Sequence, residues 1–439
     1  MRTLSGWGRF PQAECRVVAP KGEAELRSTV TSVRSAIARG NGRSYGDPSL
    51  NRETTLLLRH SDRILDFDPA TGRLEAESGV MLADIIETFL PRGWFVPVTP
   101  GTKFVTLGGM IAADVHGKNH HKSGSFGDHV ESLELVLADG RVLRCSGEEN
   151  RELFAATRGG MGLTGVIRSA VFRLIRVESA HVRQEVVRTR NLAETMQAFE
   201  ALRDWTYSAA WIDCLARGRN LGRSVLFCGE HARAGELPAG LRSNPFAFAK
   251  RHARRMPADF PGFALNAWTV KAFNRVYYTA NRPGERIVDY DRFFYPLDAI
   301  LEWNRLYGRQ GLLQYQCVLP KDAAAVGLTA MLEAVAAAGT GSFLSVLKLL
   351  GPGRGMLSFP MEGYTLALDF PANPRALDLL SRLDAIVTAH GGRIYLAKDA
   401  RMSPEMMHGY PELVAFRSQR KAADPSGKFS SLQSERLRL

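Results

Sequence analysis

Four runs in the first 180 residues concentrate or alternate β-favouring side chains between glycines: TTLLLRH (54–60), RLEAESG (73–79), ESLELVLADGRVLRCS (131–146) and GVIRSAVFRLIRV (165–177). Such runs predict strands. In the third, Asp139-Gly140 separates two apolar stretches and tolerates the positive φ of a tight turn, so it predicts a hairpin. Between the strands, LADIIETFLPRGW (82–94) carries apolar residues at helical spacing, and a helical-looking run, TSVRSAI, precedes residue 38. After about residue 180 the strand and helix units lengthen, and a basic-aromatic stretch from roughly 242 to 290 reads as irregular. A helix is predicted over 374–390. Asn373 is its cap, Pro374 sits in its first turn, Leu377, Leu380, Leu383 and Val387 lie on one face, and Gly391 and Gly392 end it.

At 439 residues the chain exceeds one ordinary core. With 45% hydrophobic and 23% charged residues it reads as globular, and no apolar run is long enough to cross a bilayer. The segment MRTLSGWGRFPQAECRVV lacks the apolar stretch of a signal peptide. Five scattered cysteines contain no CxxC pair, which fits a reduced, cytoplasmic compartment. A net charge of +12 favours an anionic partner: a phosphate-bearing cofactor, an acidic lipid surface or nucleic acid.

Two glycine-rich constellations narrow that choice. In ARGNGRSYGD (38–47), Gly40, Gly42 and Gly46 allow tight turning, so that successive N–H groups can point at phosphate oxygens, while Arg39 and Arg43 add charge. In residues 98–140, Pro100-Gly101 forms a turn, and Gly108, Gly109, Gly117, Gly124 and Gly127 thin the backbone through a polar stretch. Such backbone suits a flat ring or a pyrophosphate. His116, Lys118, Asn119, His120, His121 and Lys122 add donors and titratable groups. A metal reading of His116 and His120, four apart, is disfavoured because the glycines oppose a helix and no carboxylate sits at ligand spacing.

GRSYGD, GTKFVTLGGMIAADVHGKNHHKSGSFGDHVESLEL, KLLGPG and YLAKDAR resemble the FAD-binding oxidases of the vanillyl-alcohol oxidase superfamily, and within it the decaprenylphosphoryl-ribose 2-oxidase family. The resemblance runs from about residue 38 to the C-terminus. It implies an α+β fold: a two-part FAD domain of the PCMH type (1–179 and a C-terminal return, 393–439) around a substrate domain on an antiparallel sheet (180–392). By the same resemblance FAD is wrapped by Arg39, Gly40, Asn41, Gly42, Arg43, Ser44 and Tyr45. The second stretch contributes Pro100, Gly101, Thr102, Thr106, Gly108, Gly109, His116, Gly117, Asn119, His120, Gly124, Ser125, Phe126 and Gly127. Gly162, Gly165 and Val166 complete the pocket. Some members bond the flavin through the histidine of a His-Ser-Phe sequence. Here Arg43-Ser44-Tyr45 takes that place, so the FAD is expected to be non-covalent.

The resemblance also places Lys398, with Tyr45, Lys118, Gln314, Gln316 and Lys348, on the substrate side, and Asp369 is a candidate to orient Lys398. Gln314 and Gln316 alternate along a strand and so share a face that can grip sugar hydroxyls. Ala367 stands where a branch of the family has cysteine. The implied chemistry is hydride transfer from a carbinol carbon to flavin N5, with Lys398 or His116 as the base. The implied substrate is a sugar, on a polyprenyl phosphate by the closer resemblance. A partner short-chain reductase and a peripheral place on the inner membrane face accompany that reading. KRHARR (250–255), followed by Phe260, Phe263, Trp268, Phe273, Tyr277 and Tyr278, fits either membrane docking or ordinary packing. The rival readings are an alditol or aldonolactone oxidase of the same superfamily and a basic nucleic-acid-binding protein; the latter leaves 98–140 unexplained, so no nucleic acid is expected.

Overall fold

A computed structural model describes residues 1–249, 251–261 and 266–439. Three of the four predicted runs, joined by the unpredicted strand Ile64–Asp68, assemble into a five-stranded antiparallel sheet in the order Val142–Ser146, Val130–Val136, Val166–Arg173, Arg73–Glu77, Ile64–Asp68. The hairpin forms around Asp139-Gly140 as expected, with Gly140 at φ 83° and Val142 opposite Val136. Thr55–Leu57, from the first predicted strand, joins instead a small parallel sheet with Val17–Val18 and Ile37–Arg39.

The helical-looking run before residue 38 divides. The helix is Glu23–Ser32, and Ile37–Arg39 is a strand. Burial of Ile37 in the main core, and of Val33 and Ala36 in a smaller cluster with Leu26 and Val30, favours this break over a longer helix. The segment then enters the glycine loop directly from a strand, which fixes where that loop points.

The second unit is an eight-stranded antiparallel sheet. Its order is Gly284–Asp289, His181–Thr189, Ser224–His231, Tyr207–Ile212, Ser345–Leu350, Gly363–Pro371, Leu312–Pro320, Arg393–Ile394. Helices Leu192–Ala201, Ala324–Ala338 and Pro374–Ala389 pack together against it. The last of these matches its prediction. Asn373 accepts from the Ala376 N–H, Leu380, Leu383 and Val387 are buried, and Gly391 follows at φ 67°. The first part and the sheet share one continuous core.

The stretch read as irregular holds a fourteen-residue helix, Ala267–Ala280, and the edge strand Gly284–Asp289. Asn266 caps the helix by accepting from the Trp268 and Thr269 N–H groups, and Val270 and Asn274 face inward. Its aromatic and β-branched content lowers intrinsic helix propensity, so packing and the cap decide the outcome. Lys250 and Phe263 of the basic-aromatic pattern lie outside the described residues.

After Arg393–Ile394 the chain crosses back to the first part. Phe429 bridges Ala36 in parallel, Lys428 donates to the Val30 and Ala138 carbonyls, and Arg436 pairs with both Asp47 and Asp399.

Candidate active site

One cavity of about 400 Å³ lies between the glycine loops and the face of the large sheet opposite the helices Leu192–Ala201, Ala324–Ala338 and Pro374–Ala389. Its first wall is made by residues 40–45, 99–102, Thr106, Gly108, Gly109 and 116–118, with Gly162 and Gly165. Glycine is needed here for a physical reason: a Cβ on Gly40 would come 2.1 Å from Thr106 Oγ1, and one on Gly108 2.8 Å from Ser78 Cβ. Thr106 in turn caps the helix Leu107–Ala112 by accepting from the Gly109 N–H. Asn41 Nδ2 donates to the Phe104 carbonyl at 2.9 Å, tying the two glycine loops together. The buried Ser78 Oγ, also on this wall, has no partner within the protein, and so suits a polar ligand in the cavity.

The opposite wall is the sheet. Gln314 and Gln316 lie across from Asp369 and Ala367, and Ala367 lies across from Val346, so these side chains share one face. Trp211, opposite Val346, continues it, and Tyr277 of the helix Ala267–Ala280 packs on Trp211 at 4.8 Å. Gln314 donates to Asp369 Oδ1 at 2.6 Å, while Asp369 Oδ2 is buried without a partner. Gln316 Nε2 lies 2.9 Å from His116 Nε2 and 3.2 Å from Thr365 Oγ1. An amide NH₂ can only donate, so His116 Nε2 is the acceptor and the neutral ring carries its proton on Nδ1.

Three lysines line the cavity. The Lys398 ammonium stands 4.1 Å from the Tyr45 ring centroid, and Lys118 donates to the Phe293 carbonyl and lies 4.2 Å over that ring. Burial, opposed by Asp369 and reinforced by Lys348, brings the Lys398 amine down to about 7. Burial with the charge of Lys348 brings Lys118 to about 7, and burial brings Lys348 to about 8. Asp369 is pushed up by burial to about 7, and Tyr45 is held well above its usual range by burial and by Asp369. His116 is held well below its ordinary value by burial and by Lys348. The wall as a whole is electropositive and suits an anionic or electron-accepting ligand.

Not every expected residue reaches the cavity wall. Arg39 is turned away, bonding Ser49 Oγ and the Ser5 carbonyl. Val166 joins the apolar cluster of Leu26 and Val30, while its neighbour Ile167 reaches the wall, as strand alternation requires. Phe126 packs on Phe172, and Asp369 stands behind Gln314. Gly124, Ser125 and Gly127 belong to a supporting turn in which Asp128 accepts from the Ser125 N–H and Asp114 abuts Gly127. Asn119 donates to the Pro97 carbonyl, and His120 accepts from the Gly351 N–H. The HHKS segment, where glycines argued against helix, forms one helical turn at His120–Ser123. Asn119 starts that turn by accepting at its carbonyl from Lys122 and Ser123.

Other wall residues had no signal in the sequence. Trp7, from the N-terminal segment, stacks under Arg43 at 4.1 Å, with Phe104 at 5.3 Å on the same guanidinium. Asp298, Trp303, Trp211 and Tyr395 also line the cavity. They come from separate elements and share no spacing.

A glycine-lined trough closed by a sheet bearing glutamines and lysines defines a flavin-dependent oxidase of the FAD-binding PCMH type. The comparisons agree. Residues 15–146 match the FAD binding domain family. The whole chain is 36% identical to decaprenylphosphoryl-β-D-ribose oxidase of Mycolicibacterium smegmatis, over 100% of this chain and 98% of that one. L-gulonolactone oxidase of Scyliorhinus torazame is 29% identical over 33% of each chain. The fold matches xylooligosaccharide oxidase from Myceliophthora thermophila, solved with xylobiose, at TM-score 0.67 and 16% identity, covering 94% of this chain and 90% of that one. The chain belongs to the decaprenylphosphoryl-β-D-ribose oxidase family of FAD-dependent oxidoreductases acting on CH–OH groups, and FAD is its cofactor.

Proposed function

We propose that this protein oxidises a secondary hydroxyl of a pentose carried on a polyprenyl phosphate. The convergence of Gln314, Gln316, Lys118, Lys348 and Lys398 on one cavity, opposite the glycine loops, carries the reading. Full-length similarity to an oxidase named for decaprenylphosphoryl-ribose supports it.

Bound along the glycine wall, FAD supplies the two-electron acceptor for the hydride leaving the carbinol carbon. Residues 40–45 and 100–109 would hold it by contacts alone, with Arg43 in place of a linking histidine. Gln314 and Gln316, fixed by Asp369 and by His116 and Thr365, orient the sugar. Lys398 takes the hydroxyl proton. Burial leaves a large fraction of its amine neutral near pH 7, whereas His116 Nε2 is occupied by Gln316. Lys348, lowered only to about 8, and the protonated fraction of Lys118 provide positive charge for the developing anion.

Two finer readings follow from such a substrate: peripheral attachment to the inner face of a membrane, and a partner short-chain reductase that takes the keto product. No described helix is long and apolar enough to cross a membrane. The test is anaerobic addition of a polyprenylphosphoryl pentose to the yellow protein, with bleaching of the flavin band as the expected result. Bleaching instead by free alditols or aldonolactones, with none by the lipid-linked sugar, would overturn the assignment.

A further inference from the structure

Among the described residues, ten large apolar side chains are exposed to solvent, and five of them fall between residues 260 and 300. Trp268 is 83% exposed, Val276 66% and Phe273 40%, all on the helix Ala267–Ala280. That helix contains no carboxylate, and Trp268, Lys271, Ala272, Arg275, Val276 and Thr279 recur at three- and four-residue spacing along its outer face. Its inner face is committed: Asn274 donates to Asp213 at 2.6 Å, and Tyr277 packs on Trp211 of the cavity wall.

A second cleft adjoins the helix, lined by Asp213, Arg217, Arg223, Lys271, Arg275 and Tyr278 among others. Four cations face one carboxylate there, and Arg223 already pairs with it at 2.8 Å. Among the described residues, no ion pair engages Arg217, Lys271 or Arg275. The cleft therefore presents uncompensated positive charge beside an exposed indole. Rings of Phe273, Tyr277 and Trp211, 5.6 and 4.8 Å apart in succession, lead from this face to the active-site cavity.

We infer that this face docks on an anionic phospholipid bilayer. Trp268 and Val276 enter the interface, and Arg217, Lys271 and Arg275 meet headgroup phosphates. An indole is at home at headgroup depth, and clustered basic side chains are drawn to an anionic leaflet. Docking in this orientation lets the tail of a lipid-linked sugar stay in the membrane while the sugar follows the aromatic path to the cavity. The inference rests on the proposed substrate for its purpose, and on the exposed face for its evidence.

The test is flotation of the FAD-loaded protein with phosphatidylglycerol/phosphatidylcholine vesicles and with pure phosphatidylcholine vesicles. Binding to the anionic vesicles is expected to weaken roughly tenfold or more in Trp268→Ala and in the double variant Lys271→Glu/Arg275→Glu. Flavin absorbance and turnover of a water-soluble short-chain substrate should be unchanged in both. Failure of the parent protein to bind anionic vesicles, or equal binding by both variants, overturns the docking. Binding of duplex DNA through the same residues while vesicles are ignored also overturns it. Lack of turnover on the short-chain substrate counts only against the substrate assignment, because vesicle binding is read without activity.

Discussion

The Lys398 ammonium lies 4.1 Å from the centre of the Tyr45 ring, and the Tyr45 N–H donates to the Ala397 carbonyl at 2.9 Å. A residue of the first glycine loop and one of the C-terminal return are thus built as one unit. Asp399, next in sequence, anchors that unit through Arg436, which also holds Asp47. The geometry explains why Lys398 can be buried and still aimed: its backbone is fixed on one side and its charge is met by an aromatic face on the other.

Replacing Lys398 by methionine keeps the apolar stem and deletes the amine. The expected outcome is a protein that retains its flavin spectrum and loses about 10²- to 10⁴-fold in kcat, the range associated with a general base. Full activity in stopped-flow reduction would exclude the role.

The pH dependence follows from the same amine. A base must be neutral, so kcat/KM should climb with pH through about 7 and level off above it. Asp369 is the neighbour that favours the charged form of Lys398, so Asp369→Asn should move the rising limb to lower pH. A limb left where it was would separate Asp369 from Lys398.

Stability should respond to the buried lysines with the opposite sign from a carboxyl such as Asp369, whose pKa burial raises. Lys118 and Lys348 are lowered to about 7 and about 8, so above those values the unfolded chain binds more protons than the folded one. The penalty for burying these amines is therefore full below the lowered values and is relieved as pH rises toward the ordinary lysine range. Lys348→Met should flatten the pH dependence of the melting temperature in that window.

Gly40→Ala should empty the cofactor site without unfolding the protein. The added methyl would meet Thr106 Oγ1 at 2.1 Å, forcing the first glycine loop away from the second. Flavin content after purification is expected to fall at least about tenfold, a loss of about 1.4 kcal/mol in affinity, with far-ultraviolet circular dichroism unchanged. Normal flavin content would show that the loops can part without loss.

Acid precipitation offers a direct check on how the cofactor is held. With Arg43 where a linking histidine would stand, all of the yellow colour should pass to the supernatant. Flavin retained in the pellet would contradict non-covalent binding.

The glycines at 40, 42, 108 and 109, the Asp139-Gly140 hairpin and the Asn373-capped helix were legible in the chain because each depends on a local rule: freedom at φ, turn chemistry or cap chemistry. The alternation of Gln314 and Gln316 was legible for the same reason. The helix Ala267–Ala280 was not, since its propensity is weak and its stability comes from Trp211 and Asp213, distant in sequence. Nor could the chain alone show that Val166 turns from the cavity while Ile167 reaches it, that Trp7 supports Arg43, or that Asp369 stands behind Gln314 and not on the cavity wall. Those facts depend on which faces of separate elements meet, and long-range packing settles them. The sequence by itself determined which backbone could run thin beside a flat ligand and which side chains carried chemistry. Only the tertiary structure decided which of them share a cavity, because burial and neighbouring charge, not residue type, set the state in which each lysine and carboxylate stands.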